Sequence, residues 1–172
     1  VADILRETGM LCDWFSQCES MENSLSGYFR ELYPIKQLEQ RISESIISEE
    51  EMSDAASPEL SSIRKRIVRQ GMNIREQLDK LIKSRNTQKF LQEAIVTMRD
   101  GRYVVPVKSE YKNEVSGLVH DTSATGQTFF IEPMSVVEAN NEIRVLKSRE
   151  QAEIERITRE LSEQVGQNAD SI

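Results

Sequence analysis

Apolar residues recur at steps of three and four over two long stretches of this chain, with a shorter stretch of β-rich segments and turn residues between them. The first seam consists of Leu60, Ile63, Ile67, Ile74, Leu78 and Leu81. The second runs from Val136 to Leu161. Such spacing places apolar side chains along one face of an α-helix. The sequence therefore predicts two long helices, each burying a stripe, with a β-structured insertion between them.

The first long helix has a clear start signal. Ser57, Pro58 and Glu59 supply a capping hydroxyl, a proline at the first helical position and an acid in the first turn. The helix is expected to end near Arg85, at a length of roughly 40 Å. Gly71 takes one apolar position of the seam and costs about 1 kcal/mol relative to alanine. We therefore expect close packing or a bend at Gly71.

Residues 95–133 carry the signals of a small antiparallel sheet. Two β-rich segments, 95–98 and 103–107, flank Asp100-Gly101, a pair that favours a tight hairpin turn. Segments 115–119 and 128–131 predict two more strands. Pro106 cannot donate a backbone hydrogen bond, so its strand is expected to lie at an edge or to end in a bulge.

These patterns predict a mainly α fold: long, lever-like antiparallel helices with a small antiparallel β insertion at the tip. The expected organisation is an N-terminal helical core segment (1–57), a first long helix and connection (58–94), a clamp-like β tip (95–133) and a second long helix (134–172). Within the first segment, apolar periodicity that includes Met21 predicts a helix over 1–29, and Pro34 opens a shorter one through about Arg41.

The bulk composition excludes several classes of protein. Hydrophobic residues make up 38% and charged residues 30%, which is typical of extended helical proteins. No window is apolar enough for a membrane span, and no basic leader precedes an apolar run. Cys12 and Cys18 have the spacing of neither a zinc site nor a disulfide framework, so we expect a cytoplasmic protein. Because the chain starts at Val1 rather than methionine, we expect a piece of a longer protein.

The net charge of −7 is unevenly distributed. Residues 1–59 carry four basic and thirteen acidic groups, whereas residues 60–89 carry nine basic and two acidic groups. This basic segment has two interpretations. It either contacts nucleic-acid phosphates, or packs beside the acidic 1–59 region or the acidic final helix and is neutralised there.

Nothing in the sequence predicts catalysis by this chain. A phosphate-cradling Gly-x-x-x-x-Gly-Lys-Ser/Thr loop is absent. His120, Asp121 and Ser123 have the residue types of a hydrolytic triad, but adjacent strand residues point to opposite faces. We expect instead a hydrogen-bonded His120 at the edge of the sheet. No catalytic, cofactor-binding or metal-ligating residue is therefore predicted, and the acidic run 49–51 is expected to be a solvated loop.

The β insertion does offer candidate contact residues. Basic side chains are interleaved with Tyr103 and Tyr111, an arrangement that can contact the backbone of a nucleic acid. The candidate nucleic-acid or ribosome contacts are Arg99, Arg102, Lys108 and Lys112.

Two motifs carry a family resemblance. The run GRYVVPVK at 101–108 and the run GLVHDTSATGQTFFIEP at 117–133 resemble the MutS-two branch of the MutS family. The likeness extends upstream through 54–64 and downstream through Val136-Val137 and Asn140-Asn141, so that it covers roughly 45–160.

The resemblance implies a core, lever and clamp-like portion of a larger, homodimeric ATPase. It places the lever helices at about 58–85 and 134–165 and the clamp-like tip at about 95–133. Such proteins are expected to bind ATP and Mg²⁺ and to carry a C-terminal nuclease domain, in parts outside this chain. They are linked to suppression of recombination through branched DNA and to rescue of collided ribosomes. None of the family's catalytic residues falls within this sequence.

Two functions of different kinds remain open. The first is a non-catalytic lever and clamp that grips DNA or the ribosome for an ATP-dependent DNA-binding protein. The second is a structural scaffold or dimerisation segment with an internally neutralised basic helix and no nucleic-acid contact of its own. The sequence does not choose between DNA and the ribosome as partner.

Overall fold

A computed structural model describes residues 1–18 and 24–172, which divide into two compact units. The first unit comprises 1–61 and 151–172, and the second comprises 62–150. The helices are α1 (Ala2–Ser16), α2 (Ser26–Arg30), α3 (Lys36–Ser45), α4 (Pro58–Lys83), α5 (Arg85–Gln88) and α6 (Val137–Gln167). Within the described residues, none of them is long and apolar enough to cross a membrane.

The first unit is helical. Its core joins α1 and α3 to the start of α4 and the end of α6, through Leu5, Leu38, Ile42, Met52, Ala56, Leu60, Ile157 and Leu161. The prediction of one helix over 1–29 is wrong, because α1 ends at Ser16 and α2 begins only at Ser26. Met21 lies outside the described residues. A bridge between Ile46 and Met52 closes the exposed acidic loop 49–51, as expected.

The start of α4 follows the predicted capping chemistry. The Ser57 hydroxyl accepts a hydrogen bond from the Leu60 backbone N–H at 3.0 Å and donates one to Glu153 at 2.7 Å. Ser57 therefore satisfies an otherwise unpaired N–H of the first turn and ties that turn to α6.

The second unit contains a four-stranded antiparallel sheet in the order β1-β2-β4-β3. The strands are β1 (Thr97–Arg99), β2 (Arg102–Lys108), β3 (Gly117–Thr122) and β4 (Thr128–Pro133). Asp100 (φ 49°) and Gly101 (φ 74°) form the turn between β1 and β2 with positive φ angles. The predicted hairpin and the predicted number of strands are confirmed.

Pro106 does not mark an edge strand, because β2 is an inner strand paired with β4 throughout 105–108. The Pro106 carbonyl accepts a hydrogen bond from the Gln92 N–H, so the nitrogen of Pro106 faces residues 90–92 rather than β4. On that side of β2, β1 pairs with residues 102–104 alone. Beyond them the pairing continues through the bridge between Leu91 and Val107. The missing N–H therefore interrupts no ladder with β4.

The expected fold class, mainly α with long, lever-like antiparallel helices and a sheet at their tip, is wrong. The sheet lies in the body of a mixed α/β unit, where Val105, Val107 and Ile131 share one core with helical residues. The helical partners are Ile74, Leu78 and Ile82 from α4 and Ile143 from α6. The seam of α4 is thus buried by a sheet over its second half, because strand side chains supply the apolar surface that a second helix was expected to provide.

Gly71 of α4 lies against the side chain of a strand residue. A Cβ added to Gly71 would lie 3.0 Å from the Tyr103 hydroxyl oxygen of β2. The predicted close packing at this position is therefore confirmed, and the partner is a strand residue.

Candidate nucleic-acid interface

A buried carboxylate organises the sheet. Glu132 on β4 is fully buried, and its two oxygens accept hydrogen bonds from Arg102 Nη1 at 2.8 and 3.0 Å. Asn140 Nδ2 donates to the same carboxylate at 2.7 Å, and His120 Nε2 lies 2.5 Å from it. A buried carboxylate is tolerated when charged and polar donors surround it in this way. Residues of β2, β3, β4 and α6 thus meet at Glu132.

Arg102, a predicted contact residue, belongs to this network. Only 16% of its side chain is exposed, and its second terminal nitrogen donates to Asn141 at 2.6 Å. Asn140 also holds the backbone of β2, since it accepts from the Tyr103 N–H and donates to the Tyr103 carbonyl. The structure therefore gives Arg102 internal partners.

Arg99, the second predicted contact residue, has an internal carboxylate as well. Its guanidinium lies 3.8 Å from the centroid of the Phe130 ring, and Nε donates to Asp121 at 3.1 Å. The side chain reaches from β1 to residues of β4 and β3 and remains partly exposed. Its charge is balanced in part by Asp121.

Lys108 and Lys112, the remaining predicted residues, have different surroundings. Lys112 Nζ lies 4.6 Å from the centroid of the Phe129 ring, and Lys108 Nζ donates to the Lys89 carbonyl at 3.3 Å. Lys89 Nζ in turn lies 4.9 Å from the Phe90 ring centroid. We call Lys89, Lys108 and Lys112 the lysine end of the sheet.

The lysine end is assembled by backbone pairing. Lys108 N–H donates to the Phe90 carbonyl at 2.9 Å, which brings the segment after α5 beside the end of β2. The Phe90 and Tyr111 rings pack at 5.2 Å between centroids. Within the described residues, none of the three ammonium groups forms an ion pair with a carboxylate. Aromatic rings and a carbonyl orient these lysines without neutralising them.

From the sequence, Lys89 was counted in the basic segment 60–89, beyond the end of the predicted helix, and not with the sheet. Its position depends on the bridge between Leu91 and Val107. An isolated bridge leaves no periodic signal in a sequence, so no pattern could have predicted this neighbour of Lys108.

Four basic residues of helix α4 form ion pairs with carboxylates. Arg64 donates to Glu150 at 2.7 Å, and Arg66 donates to Glu142 at 2.8 Å. Lys80 and Lys83 pair with the acids four residues earlier in the same helix, Glu76 and Asp79. Of the two interpretations of this segment, neutralisation by the acidic final helix describes Arg64 and Arg66, whereas Lys80 and Lys83 pair within their own helix. The acidic partners lie on α6 and on α4 itself.

His120 and Asp121 have different partners. The strand pairing shifts register between Val119 and Asp121, which makes His120 the extra residue of a bulge. His120 bonds Glu132 and Asp121 bonds Arg99. The prediction of a hydrogen-bonded histidine on the edge strand is confirmed.

Comparison with known proteins gives a consistent relationship. No protein-family model matches the chain. It is 55% identical over 128 residues, 74% of its length, to a protein named Endonuclease MutS2 from Ruminiclostridium cellulolyticum. Endonuclease MutS2 from Acetivibrio thermocellus is 47% identical over 99% of this chain, and that from Pelotomaculum thermopropionicum is 45% identical over all 172 residues of this chain. The chain spans about a fifth of the length of these relatives, or 16% to 22%.

Identity at this level along the whole chain marks a segment of a MutS-related protein. The motifs that carried the resemblance, 101–108 and 117–133, form β2 and the segment from β3 through β4. The chain belongs to the MutS2 family.

Proposed function

We propose that this chain is a non-catalytic, DNA-contacting part of a MutS2 protein, and that the lysine end of its sheet contacts the phosphate backbone. The observation that carries the proposal is that Lys89, Lys108 and Lys112 are oriented without an ion pair to any described carboxylate. Their positive charge is therefore available to an external anion. The name of the relatives, Endonuclease MutS2, supports a nucleic acid as that anion.

The placement of the lysines suits a sequence-independent contact. A ring beneath an ammonium group limits its motion but leaves its outer hydrogen atoms free to donate to phosphate oxygens. Phosphate contacts position a protein on a duplex and carry no sequence information. The lysine end therefore fits a clamp-like grip on the DNA backbone.

Arg99 and Arg102 take a different part in this proposal. Both have carboxylate partners, so we assign them to shaping the sheet rather than to binding. A lever action along two free helical rods is not retained, since the sheet packs along α4.

The proposal extends to the whole protein of which this chain is a segment. We infer that the parent is a cytoplasmic, homodimeric enzyme that binds ATP and Mg²⁺ outside this segment. Suppression of recombination is the role that a DNA grip would serve, whereas ribosome rescue would require the same surface to meet ribosomal RNA.

A second candidate function is a purely structural scaffold. The ion pairs from α4 to α6, Arg64–Glu150 and Arg66–Glu142, favour it because they neutralise part of the most basic segment internally. A scaffold would not depend on the lysine end for nucleic-acid affinity.

The deciding experiment measures binding of full-length protein to branched DNA over a range of salt concentrations. The test variant is Lys89→Gln/Lys108→Gln/Lys112→Gln. The matched control is Lys36→Gln/Lys80→Gln/Lys83→Gln, which removes the same charge from lysines that are each paired with a carboxylate. We expect the test variant alone to weaken binding at least tenfold and to lower the salt slope by about 2 to 3, near 0.9 per lost phosphate contact.

Each alternative outcome has a clear meaning. Equal losses in both variants would attribute binding to overall charge and reject the lysine end. Unchanged DNA binding in the test variant would favour the scaffold. Unchanged DNA binding together with lost co-sedimentation with ribosomes would reject DNA as the ligand of this surface.

A further inference from the structure

Helix α1 has a second apolar face that no described residue fully covers. Its inner face buries Leu5 and Gly9 in the core of the first unit. On the other side, Ile4 is 51% exposed, Leu11 is 46% exposed and Trp14 is 53% exposed. Single exposed apolar residues are common on protein surfaces, but three large ones aligned on one helix indicate a contact surface.

The spacing of these residues is that of a helix-packing seam. Ile4, Leu11 and Trp14 follow steps of seven and three, which confines them to an arc of about 80° at 100° per residue. This seam extends over roughly 15 Å of helix at 1.5 Å per residue. We call these three residues the α1 stripe.

Among the described residues of the first unit, aromatic contacts cover one end of the α1 stripe. Phe15 stacks on Phe29 of α2 at 4.8 Å between ring centroids, and the Trp14 ring lies 5.9 Å from the same Phe29. Trp14 remains half exposed despite this contact. The aromatic cluster thus continues into a surface open to another element.

We propose that the α1 stripe packs against an amphipathic helix from a part of the MutS2 polypeptide outside these 172 residues. The relatives that align with 99% to 100% of this chain have only 22% of their length in the alignment. Most of the polypeptide therefore lies elsewhere and is covalently linked to α1. A tethered segment meets its site at an effective concentration of about millimolar, which favours it over a second copy.

The charge pattern of α1 defines the chemistry of the occupant. Glu7 is exposed and lies within the arc of the α1 stripe, between Ile4 and Leu11. Arg6, the helix's basic residue, pairs with Asp3. The occupant should therefore carry a narrow apolar seam with a lysine or arginine placed opposite Glu7.

Oxidative footprinting of full-length protein tests this proposal with natural side chains. Trp14 and Met10 are both readily oxidised, and Met10 is 66% exposed and lies outside the arc of the stripe. We expect hydroxyl-radical oxidation of Trp14 to be at least tenfold slower than its exposure in this segment implies, with Met10 as the internal reference. Mass spectrometry of the peptide containing both residues gives the two rates from one sample.

The experiment has three distinguishable results, two of which would overturn the proposal and one of which would support it. Trp14 oxidised as readily as Met10 would overturn it. Protection of Trp14 that increases with protein concentration would assign the stripe to a second copy and also overturn it. Concentration-independent protection that is lost in the Ile4→Gln/Leu11→Gln variant would support it. The footprint of the unaltered protein decides the matter even if that variant fails to fold.

Discussion

His120 Nε2 on the edge strand β3 lies 2.5 Å from Oε2 of Glu132, a residue with no solvent-exposed surface on the neighbouring strand β4. Arg102 and Asn140 complete the surroundings of this carboxylate. A carboxylate buried among donors is costly to disturb from either side, because each partner left behind is also partly buried.

Replacing Glu132 with glutamine should destabilise the protein by about 3 kcal/mol, since it leaves the Arg102 guanidinium without its counter-charge. Urea denaturation followed by circular dichroism would measure the change. Glu76→Gln, which removes an exposed acid from an i,i+4 pair with Lys80, is the matched control and should leave the free energy of unfolding nearly unchanged. Similar losses in the two variants would contradict the role assigned to Glu132.

Replacing Ser57 with alanine should cost about 1 kcal/mol, because the hydroxyl caps the Leu60 N–H and also donates to Glu153. Thermal unfolding of the variant would detect the loss. Ser57→Thr keeps both hydrogen-bonding capacities and should retain most of the stability. If the threonine and alanine variants unfold alike, the cap is not the source of the effect.

Acid should weaken the first unit through Glu153. Hydrogen bonds from Arg156 and then Ser57 lower the pKa of Glu153 to about 2 from its ordinary value of 4.5. Because the folded-state pKa lies below the unfolded value, the stabilisation is complete above about pH 5 and is lost as the pH falls through 4.5 toward 2. The difference in free energy of unfolding between the native protein and Glu153→Gln should be constant above pH 5 and shrink below it. A difference that does not change with pH would contradict this assignment.

Replacing Gly117 with alanine should destabilise the sheet by about 3 kcal/mol through overpacking. An added Cβ would lie 2.2 Å from the Glu132 carbonyl oxygen and 2.7 Å from Ile131 Cγ2, so a strand must move. Gly166→Ala in α6 is the control, since its Cβ meets nothing within 4 Å and helix propensity favours alanine by up to about 1 kcal/mol. Chemical denaturation should therefore give shifts of opposite sign for the two variants.

Local signals in the sequence predicted local structure well. The serine, proline and acid at 57–59 predicted where α4 begins, and Asp100-Gly101 predicted the turn between β1 and β2. Each of these depends on backbone chemistry within a few residues. The family motifs also identified the correct relatives.

The position of the sheet could not be predicted in the same way. An apolar seam records that a helix face is buried but not what buries it. Ile74 and Leu78 continue the spacing of the seam that begins at Leu60, yet they pack in a core with Val105 and Ile131 from the sheet. The structure therefore has a unit of helices and strands where a pair of helices was expected.

The partners of the charged residues could not be predicted from the sequence either. Arg102 and Lys108 have the same formal charge and lie on one strand, but the antiparallel register brings only Arg102 to Glu132. A strand register joins residues about thirty positions apart, and no spacing rule encodes it. The candidate contacts, chosen for their charge and the neighbouring tyrosines, therefore combined cations that have carboxylate partners with cations for which no ion pair is seen among the described residues.

The convergence of β2, β3 and α6 on one carboxylate of β4 has a dynamic consequence. An edge strand ordinarily frays before the rest of its sheet, and its amide protons exchange with solvent first. In this molecule β3 can separate only by removing the His120 imidazole from the same carboxylate that holds Arg102 and Asn140. The amides of β3 and of the first turns of α6 should therefore exchange at a common rate, as one cooperative unit.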